Sequence, residues 1–189
     1  MKSLKMNLQI LCLLLIAGVV TLAQSGDTKN FAKDGLSFDY PSGWTLQDDS
    51  NGDAQQLSLG RANNDVQIRV FVHKGKISPE KLPDAKRAFI DPYVANTGKQ
   101  FAAMGANPKQ SPDSTEIGGV KSDGVNITAS LGGEPGAAKI YWALIGQRVA
   151  ILTYFGPEKE LKQFAPAWDL VRTSLKLAAP QADSKPAKP

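Results

Sequence analysis

Residues 139–155, KIYWALIGQRVAILTYF, restrict the architecture more than any other stretch of the chain. Ile140, Trp142 and Leu144 fall on one side of an extended strand and Tyr141, Ala143 and Ile145 on the other, and all of them are apolar. A strand that is apolar on both faces must be covered on both, so it belongs in the middle of a sheet with further layers above and below. Gly146-Gln147 then offers a two-residue turn with glycine first, and Val149 to Phe155 return with the same two-sided apolarity. The segment predicts a central hairpin, and the rest of the chain must supply its cover.

The cover is legible in outline. In DGLSFDYPSGW, from Asp34 to Trp44, Leu36, Phe38 and Tyr40 alternate with Ser37 and Asp39, which predicts a half-buried strand at the first edge of the fold. Pro41, Ser42 and Gly43 turn the backbone, and Trp44 brings a large apolar surface to the start of the next strand. Asn51-Gly52 is a dipeptide suited to a tight hairpin turn, followed by strands over 54–60 and 66–73. In the second of these Val66, Ile68, Val70 and Val72 oppose Gln67, Arg69 and His73, which implies one wet face. Ser78-Pro79-Glu80 reads as a capped helix start, and Asp91-Pro92 repeats the signal, predicting a kinked helix or two short ones with Tyr93, Val94, Phe101 and Met104 facing the core. Strands over 114–117 and 121–131 follow, the latter placing Val125, Ile127, Ala129 and Leu131 opposite Asn126, Thr128 and Ser130. After Gly156-Pro157, Leu161, Phe164, Ala165, Trp168, Val171 and Leu175 recur every three or four residues, the stripe of one amphipathic helix ending near Leu175.

The first 23 residues have the parts of a secretory signal: Lys2 and Lys5, an apolar run from Ile10 to Leu22, and Thr21-Leu22-Ala23 as a small-residue cleavage site. The run is shorter than the roughly 20 residues that a membrane-spanning helix needs, so no stable span is expected after cleavage. The single cysteine, Cys12, lies inside that run and would leave with it, which removes disulfides, thiolate nucleophiles and soft-metal ligands from the remainder. The formal charge of +4 includes Lys2 and Lys5, so the remainder is nearly balanced and gives no footprint for nucleic acid. The expected organisation is a signal over 1–23, a flexible segment over 24–32, one domain over 33–177 and a disordered Pro/Ala/Lys tail over 178–189, in an exported protein of the periplasm or exterior.

Taken together, DGLSFDYPSGW, the central hairpin and the closing AWDLVRTSLKL resemble the PsbP-like superfamily, whose members include the photosystem II PsbP subunit and DcrB-like bacterial envelope proteins. The resemblance implies an α+β fold, an α/β/α sandwich on a mainly antiparallel sheet of about six to seven strands with helices on both faces. It implies non-catalytic work and, with the leader, an exported bacterial member that meets an envelope protein or complex. It carries no cofactor and no metal site across, since no ligand positions match.

Candidate reactive groups are few. His73 is the only histidine, so a general base, a triad or a histidine-containing metal site would have to use it, and a surface strand histidine is the simpler account. No nucleophile elbow is present. Asp48, Asp49, Asn51 and Asp53 resemble hard-cation ligands, but Ala54 and Gly60 stand where a calcium loop needs glycine and glutamate, and a polar turn accounts for them. Lys74, Lys76, Lys81, Lys86 and Arg87 form a basic stretch able to make weak contact with an anionic surface. Asn126-Ile127-Thr128 matches a glycosylation sequon, with strand alternation as the plainer explanation. The expected function is a non-catalytic interaction or scaffolding module of the envelope, with Gln67, Arg69, His73, Asn126 and Thr128 as its polar contact surface. The alternatives are a carrier of a small apolar or cationic ligand in a gap between sheet and helix, or a hydrolase depending on His73.

Overall fold

The computed structural model of the chain describes residues 27–178; the expected signal over 1–23, residues 24–26 and all of the tail after Ala178 lie outside the described residues. In chain order, β1 (Thr28–Lys33) and β2 (Leu36–Pro41) form a hairpin, and β3 (Thr45–Asp48), β4 (Ala54–Gly60) and β5 (Gln67–His73) form a meander. A helical region follows, comprising a 3-10 turn (Pro79–Lys81), α1 (Leu82–Ala85), a π-helical turn (Lys86–Ile90) and α2 (Asp91–Ala103). A second meander consists of β6 (Lys109–Ile117), β7 (Val120–Leu131), β8 (Glu134–Ile145) and β9 (Arg148–Pro157), and the described chain closes with α3 (Glu158–Gln163), α4 (Ala165–Ser174) and β10 (Lys176–Leu177).

The two meanders join through β5 and β9 into a seven-stranded, wholly antiparallel sheet of order β3-β4-β5-β9-β8-β7-β6. The hairpin predicted to be central therefore is central. Its turn, Gly146-Gln147, has φ of 55° and 68°, the left-handed pair that matches strand twist, with Ile145 opposite Arg148. Odd-numbered residues of β8, including Tyr141 and Ala143, enter a core with Ile68, Val70, Leu152, Trp168, Val171, Leu36 and Phe38. Even-numbered ones, including Ile140 and Trp142, enter a second core with Ile127, Val149, Ile151, Ile90 and Phe101. One face is thus covered by α3, α4 and the small sheet, the other by the α1–α2 region, as an α/β/α sandwich requires.

Several local expectations need correction. β2 is the middle strand of a separate three-stranded sheet, order β1-β2-β10, rather than an edge of the main one. Residues 28–32, expected to be flexible, are in β1, a strand that buries little but pairs along its whole length with β2, so backbone hydrogen bonding holds what side-chain pattern could not announce. The single closing helix is two, broken at Phe164, because Pro166 in the first turn of α4 has no N–H to continue the helical ladder. The π turn ends just before Pro92, and the Asp91 N–H reaches the Lys86 carbonyl, which lets the helical path continue into a proline. Ser78 occupies the cap position without a capping hydrogen bond. Met104 sits just beyond the last turn of α2 and is 58% exposed, while Tyr93, Val94 and Phe101 pack on the sheet as expected.

Trp44 is the anchor its position promised: it is buried and meets Phe164 edge to face at 5.9 Å. At the far edge β6 carries Pro112, opposite Val125, where a proline's missing donor is tolerated.

Candidate functional site

The five residues expected to share one contact surface do not share one. Register fixes this: Arg69 pairs with Thr153, on the face beneath α2, whereas Asn126 pairs with Lys139 and that in turn with Tyr154, on the face beneath α4. Gln67, Arg69 and His73 therefore lie on one side of the sheet, Asn126 and Thr128 on the other. Alternation within a strand shows which residues go together, but not which face they take relative to another strand.

On the α2 face the polar groups are engaged locally. The Arg69 guanidinium lies 4.6 Å from the centre of the Phe155 ring. His73 stacks on Phe89 at 4.9 Å, and its Nδ1 lies 3.0 Å from the Gly75 N–H. No carboxylate forms an ion pair with His73 among the described residues. The basic stretch is also largely paired: Lys74 with Asp34, Lys81 and Arg87 with Asp84, and Lys86 with Asp91. Lys76 alone in that set has no ion-pair partner among the described residues. In the Asn51 loop, Asp48 pairs with Lys33 at 2.8 Å, Asp49 accepts from Gln47, and Asn51 Oδ1 accepts the N–H groups of Asp53 and Ala54. These carboxylates and the amide serve a hairpin of β3 and β4, in which the Asn51 N–H donates to the Ala54 carbonyl, Gly52-Asp53 form the tip and the Asn51 side chain caps it. Among the described residues no group of three or more His, Cys, Asp or Glu is placed to hold a metal ion.

A buried polar knot was missed in the sequence. Arg148, at 3% exposure, donates through Nη2 to Gln55 Oε1 at 2.6 Å, through Nη1 to the Asp34 carbonyl at 3.1 Å and through Nε to the His73 carbonyl at 3.3 Å. Gln55, wholly buried, passes the link to the Lys33 carbonyl at 2.8 Å. The knot ties the β1–β2 turn to the main sheet, and desolvation pulls the Arg148 guanidinium below its usual pKa. Its carbonyl partners act as a structural fastener, and none is a group on which chemistry could run. A polar pair within the parity of apolar strands was the available signal.

A large concavity lies on the α4 face, where α3 and α4 rise beside the β6–β8 wing. It is a cleft of about 760 Å³. Its floor includes Asn126, Thr128 and Lys139, and Lys109 and Thr115 border it from β6. Its inner wall is a ring stack: Trp168 lies between Tyr141 at 5.8 Å and Tyr154 at 5.3 Å. Gly124, opposite Tyr141, makes the stack possible, since a Cβ there would sit 2.3 Å from the tyrosine ring and 2.6 Å from the Ile140 carbonyl oxygen. Both phenols are spoken for: Tyr141 donates to Asp113 Oδ2 at 2.7 Å and Tyr154 to the Leu161 carbonyl at 2.8 Å. Burial raises both phenol pKa values, with Asp113 adding to the rise at Tyr141, so both stay protonated at neutral pH and neither serves as a base.

The charges of the cleft are unequal. Glu158 pairs with Lys162 and Asp169 with Arg172, while Lys109 and Lys139 have no ion-pair partner among the described residues. Asn126 Oδ1 is buried without a hydrogen-bond partner, and among the described residues it is the one such buried side-chain atom. Among the described residues the cleft assembles no metal ligand set, and its two phenols and two carboxylates are held in hydrogen bonds and ion pairs.

No protein-family model and no curated protein matches the chain. Its fold is similar to those of several solved structures. A protein from Bacteroides thetaiotaomicron VPI-5482 is 18% identical with a TM-score of 0.53 over 79% of this chain and 48% of that one, so this chain spans about half the length of that structure. The cyanobacterial PsbP of Synechocystis sp. PCC 6803 is 13% identical over 86% of this chain and 99% of its own, with a TM-score of 0.49. LpqN, involved in cell envelope biogenesis of Mycobacterium tuberculosis, is 13% identical over 80% and 90%, with a TM-score of 0.43. The layer order and sheet topology described above are those of the α/β/α sandwich expected from the sequence, and the similarity to the Bacteroides structure is one of fold. No helix among the described residues is long and apolar enough to cross a membrane.

Proposed function

We propose that this protein is an exported, non-catalytic binding module of the cell envelope, and that its binding surface is the cleft between the β6–β8 wing and α3–α4. The observation that carries this reading is the cleft itself: about 760 Å³ of concave surface in which the phenols of Tyr141 and Tyr154, the carboxylates of Glu158 and Asp169 and the Trp168 ring are already engaged in structure. The leader over 1–23 supports export, and the absence of cysteine beyond Cys12 suits a domain held by its core rather than by disulfides. A cationic cargo fits this lining less well than an anionic one, because the lysines Lys109 and Lys139 have no ion-pair partner among the described residues.

The test uses affinity capture from envelope extracts with the full chain, a Thr128→Trp variant and an Arg69→Glu variant. Thr128 is exposed within the cleft, so tryptophan there fills space without entering the core. The wild type and Arg69→Glu should recover the same companion and Thr128→Trp should lose it, with circular dichroism and thermal midpoint unchanged. Equal recovery by Thr128→Trp, or loss in Arg69→Glu alone, moves the surface off the cleft and overturns the reading.

A further inference from the structure

We infer that the free edge of β1 is a strand-addition surface on which two copies of this chain pair antiparallel about a two-fold axis at Asn30, independently of the cleft. The backbone of the small sheet carries the argument. The Asp39 N–H donates to the Ser174 hydroxyl at 2.8 Å, so Asp39 turns its backbone groups away from β1. Asp39 lies opposite Asn30, which makes these two a non-hydrogen-bonded pair of the β1–β2 ladder. Alternation fixes the rest: Lys29, Phe31 and Lys33 bond to β2, while Thr28, Asn30 and Ala32 aim their N–H and C=O groups out of the sheet. The Asp27 carbonyl accepts the Ser42 N–H at 2.8 Å, as this parity requires. The outward groups of Thr28, Asn30 and Ala32 have no backbone partner among the described residues, and all three residues are exposed.

The other sheet edges are blunted. On β6 the outward positions are the even ones: Pro112 has no donor, the Ser114 N–H is taken by the Asp113 carboxylate at 2.8 Å, and the Glu116 carbonyl accepts from Arg172 at 3.3 Å. β3 has four residues and β10 two, and the Leu177 carbonyl of β10 lies against Gly146, where a Cβ would sit 3.4 Å from it. β1 presents six residues without a proline. A second copy fits this edge in one register. With Asn30 opposite Asn30, Thr28 meets Ala32 of the other copy, so every outward residue exchanges both its hydrogen bonds. The same register sets Asp27 of one copy against Lys33 of the other at both ends, and Lys29 against the half-buried Phe31. A slip to the neighbouring register sets Lys29 against Lys29 in one direction and Lys29 against Lys33 in the other, so like charges disfavour both. The pairing uses up both free edges and stops at two copies. One strand contact is a small interface, so the dimer is weak, with a dissociation constant on the order of 100 μM.

Sedimentation equilibrium of the protein recovered after secretion from a bacterial host tests this. The wild type should show a reversible monomer–dimer equilibrium without larger species. Ala32→Pro removes an outward N–H and no bond to β2, so it should keep its circular dichroism and dimerise at least about tenfold more weakly. Asp27→Lys should weaken the dimer about fivefold, a difference that shrinks in high salt. Asn30→Cys, with Cys12→Ser so that it is the only thiol, should oxidise to a disulfide dimer, because directly opposed residues of a hydrogen-bonded pair have Cα atoms about 5.5 Å apart. Ala32→Cys in the same background, opposite Thr28, should cross-link at least about tenfold more slowly. A wild type that stays monomeric to about 1 mM overturns the inference, whether or not β1 accepts a strand from another protein. Dimerisation of Ala32→Pro at wild-type strength, or equal cross-linking at positions 30 and 32, overturns it as well; if Ala32→Pro does not fold, the two cysteine variants decide. Thr128→Trp should dimerise like the wild type, so a failure of β1 pairing leaves the cleft reading standing and a failure of the cleft reading leaves β1 pairing standing.

Discussion

The seven-stranded sheet has two bare corners, diagonally opposed, and they differ in kind. On the α2 face the strands toward β3 are uncovered, exposing Gln56, Ser58, Gln67 and Arg69; on the α4 face it is the wing toward β6, exposing Lys109, Thr128 and part of Lys139. Each covering layer is narrower than the sheet, so each leaves an end free. At the first corner only a small cavity of about 90 Å³ forms, between Arg69 and α2, and the Arg69 guanidinium lies on the Phe155 ring. At the second, α3 and α4 stand as a wall, and two lysines have no ion-pair partner among the described residues. Exposed polar residues on a strand therefore say little until the neighbouring layer decides between a flat solvated surface and a concave one.

The contrast depends on the covering layers staying in place, and Arg148 is where that is most easily broken. Arg148→Ala removes the only donors among the described residues that reach the buried Gln55 Oε1 and the Asp34 carbonyl, and should lower unfolding free energy by about 3 kcal/mol by urea denaturation. If the loss is under about 1 kcal/mol, the small sheet is held mainly by its apolar contacts and the knot is incidental. Gly124→Ala attacks the concave corner instead. Its new methyl meets the Tyr141 ring and the Ile140 carbonyl, so the ring stack must shift, at about 2 kcal/mol and with a changed near-ultraviolet dichroism from Trp168. A normal spectrum with normal stability would mean that the wall adapts freely.

The smallest effect belongs to the exposed fastener at the flat end, Lys33–Asp48. The Lys33 ammonium and the Ser50 hydroxyl and N–H hold the Asp48 carboxylate at about 2, against an ordinary 3.8. A depressed carboxylate contributes stability above its unfolded pKa and loses it as pH falls through the folded one. The stability gap between wild type and Lys33→Met should therefore be full above pH 3.8 and shrink as pH approaches 2. The gap should be small at any pH, since Lys33 is half exposed and the pair is screened by water and salt. A gap independent of pH would show that Lys33 acts through its alkyl stem, not its charge.

Much of this fold was legible because two-sided apolarity has only one structural solution. KIYWALIGQRVAILTYF could be nothing but a covered hairpin, and Trp168, Val171 and Leu175 could only face it. β1 was not legible, since Thr28 to Lys33 is held by pairing with β2 rather than by any buried pattern. The cleft was not legible either. Asn126 and Thr128 were marked as polar strand residues, but their separation from Gln67 and Arg69 follows from the register across β8 and β9, a long-range property absent from any single segment. Lys109 and Lys139 gave no local signal; each is an ordinary lysine in a strand, and their meaning comes from which acids fail to reach them.

The order of strands also sets how the chain finds its fold. Within β3–β4–β5 and within β6–β7–β8–β9 every pairing joins sequence neighbours, so each meander closes through short loops. Only the β5–β9 junction, where Val70 meets Leu152, spans the intervening helices and most of the second meander. Within the main sheet the entropy of long-loop closure is thus concentrated in one encounter, between two meanders that each close through local pairings, and the small sheet adds a second when β10 reaches β2.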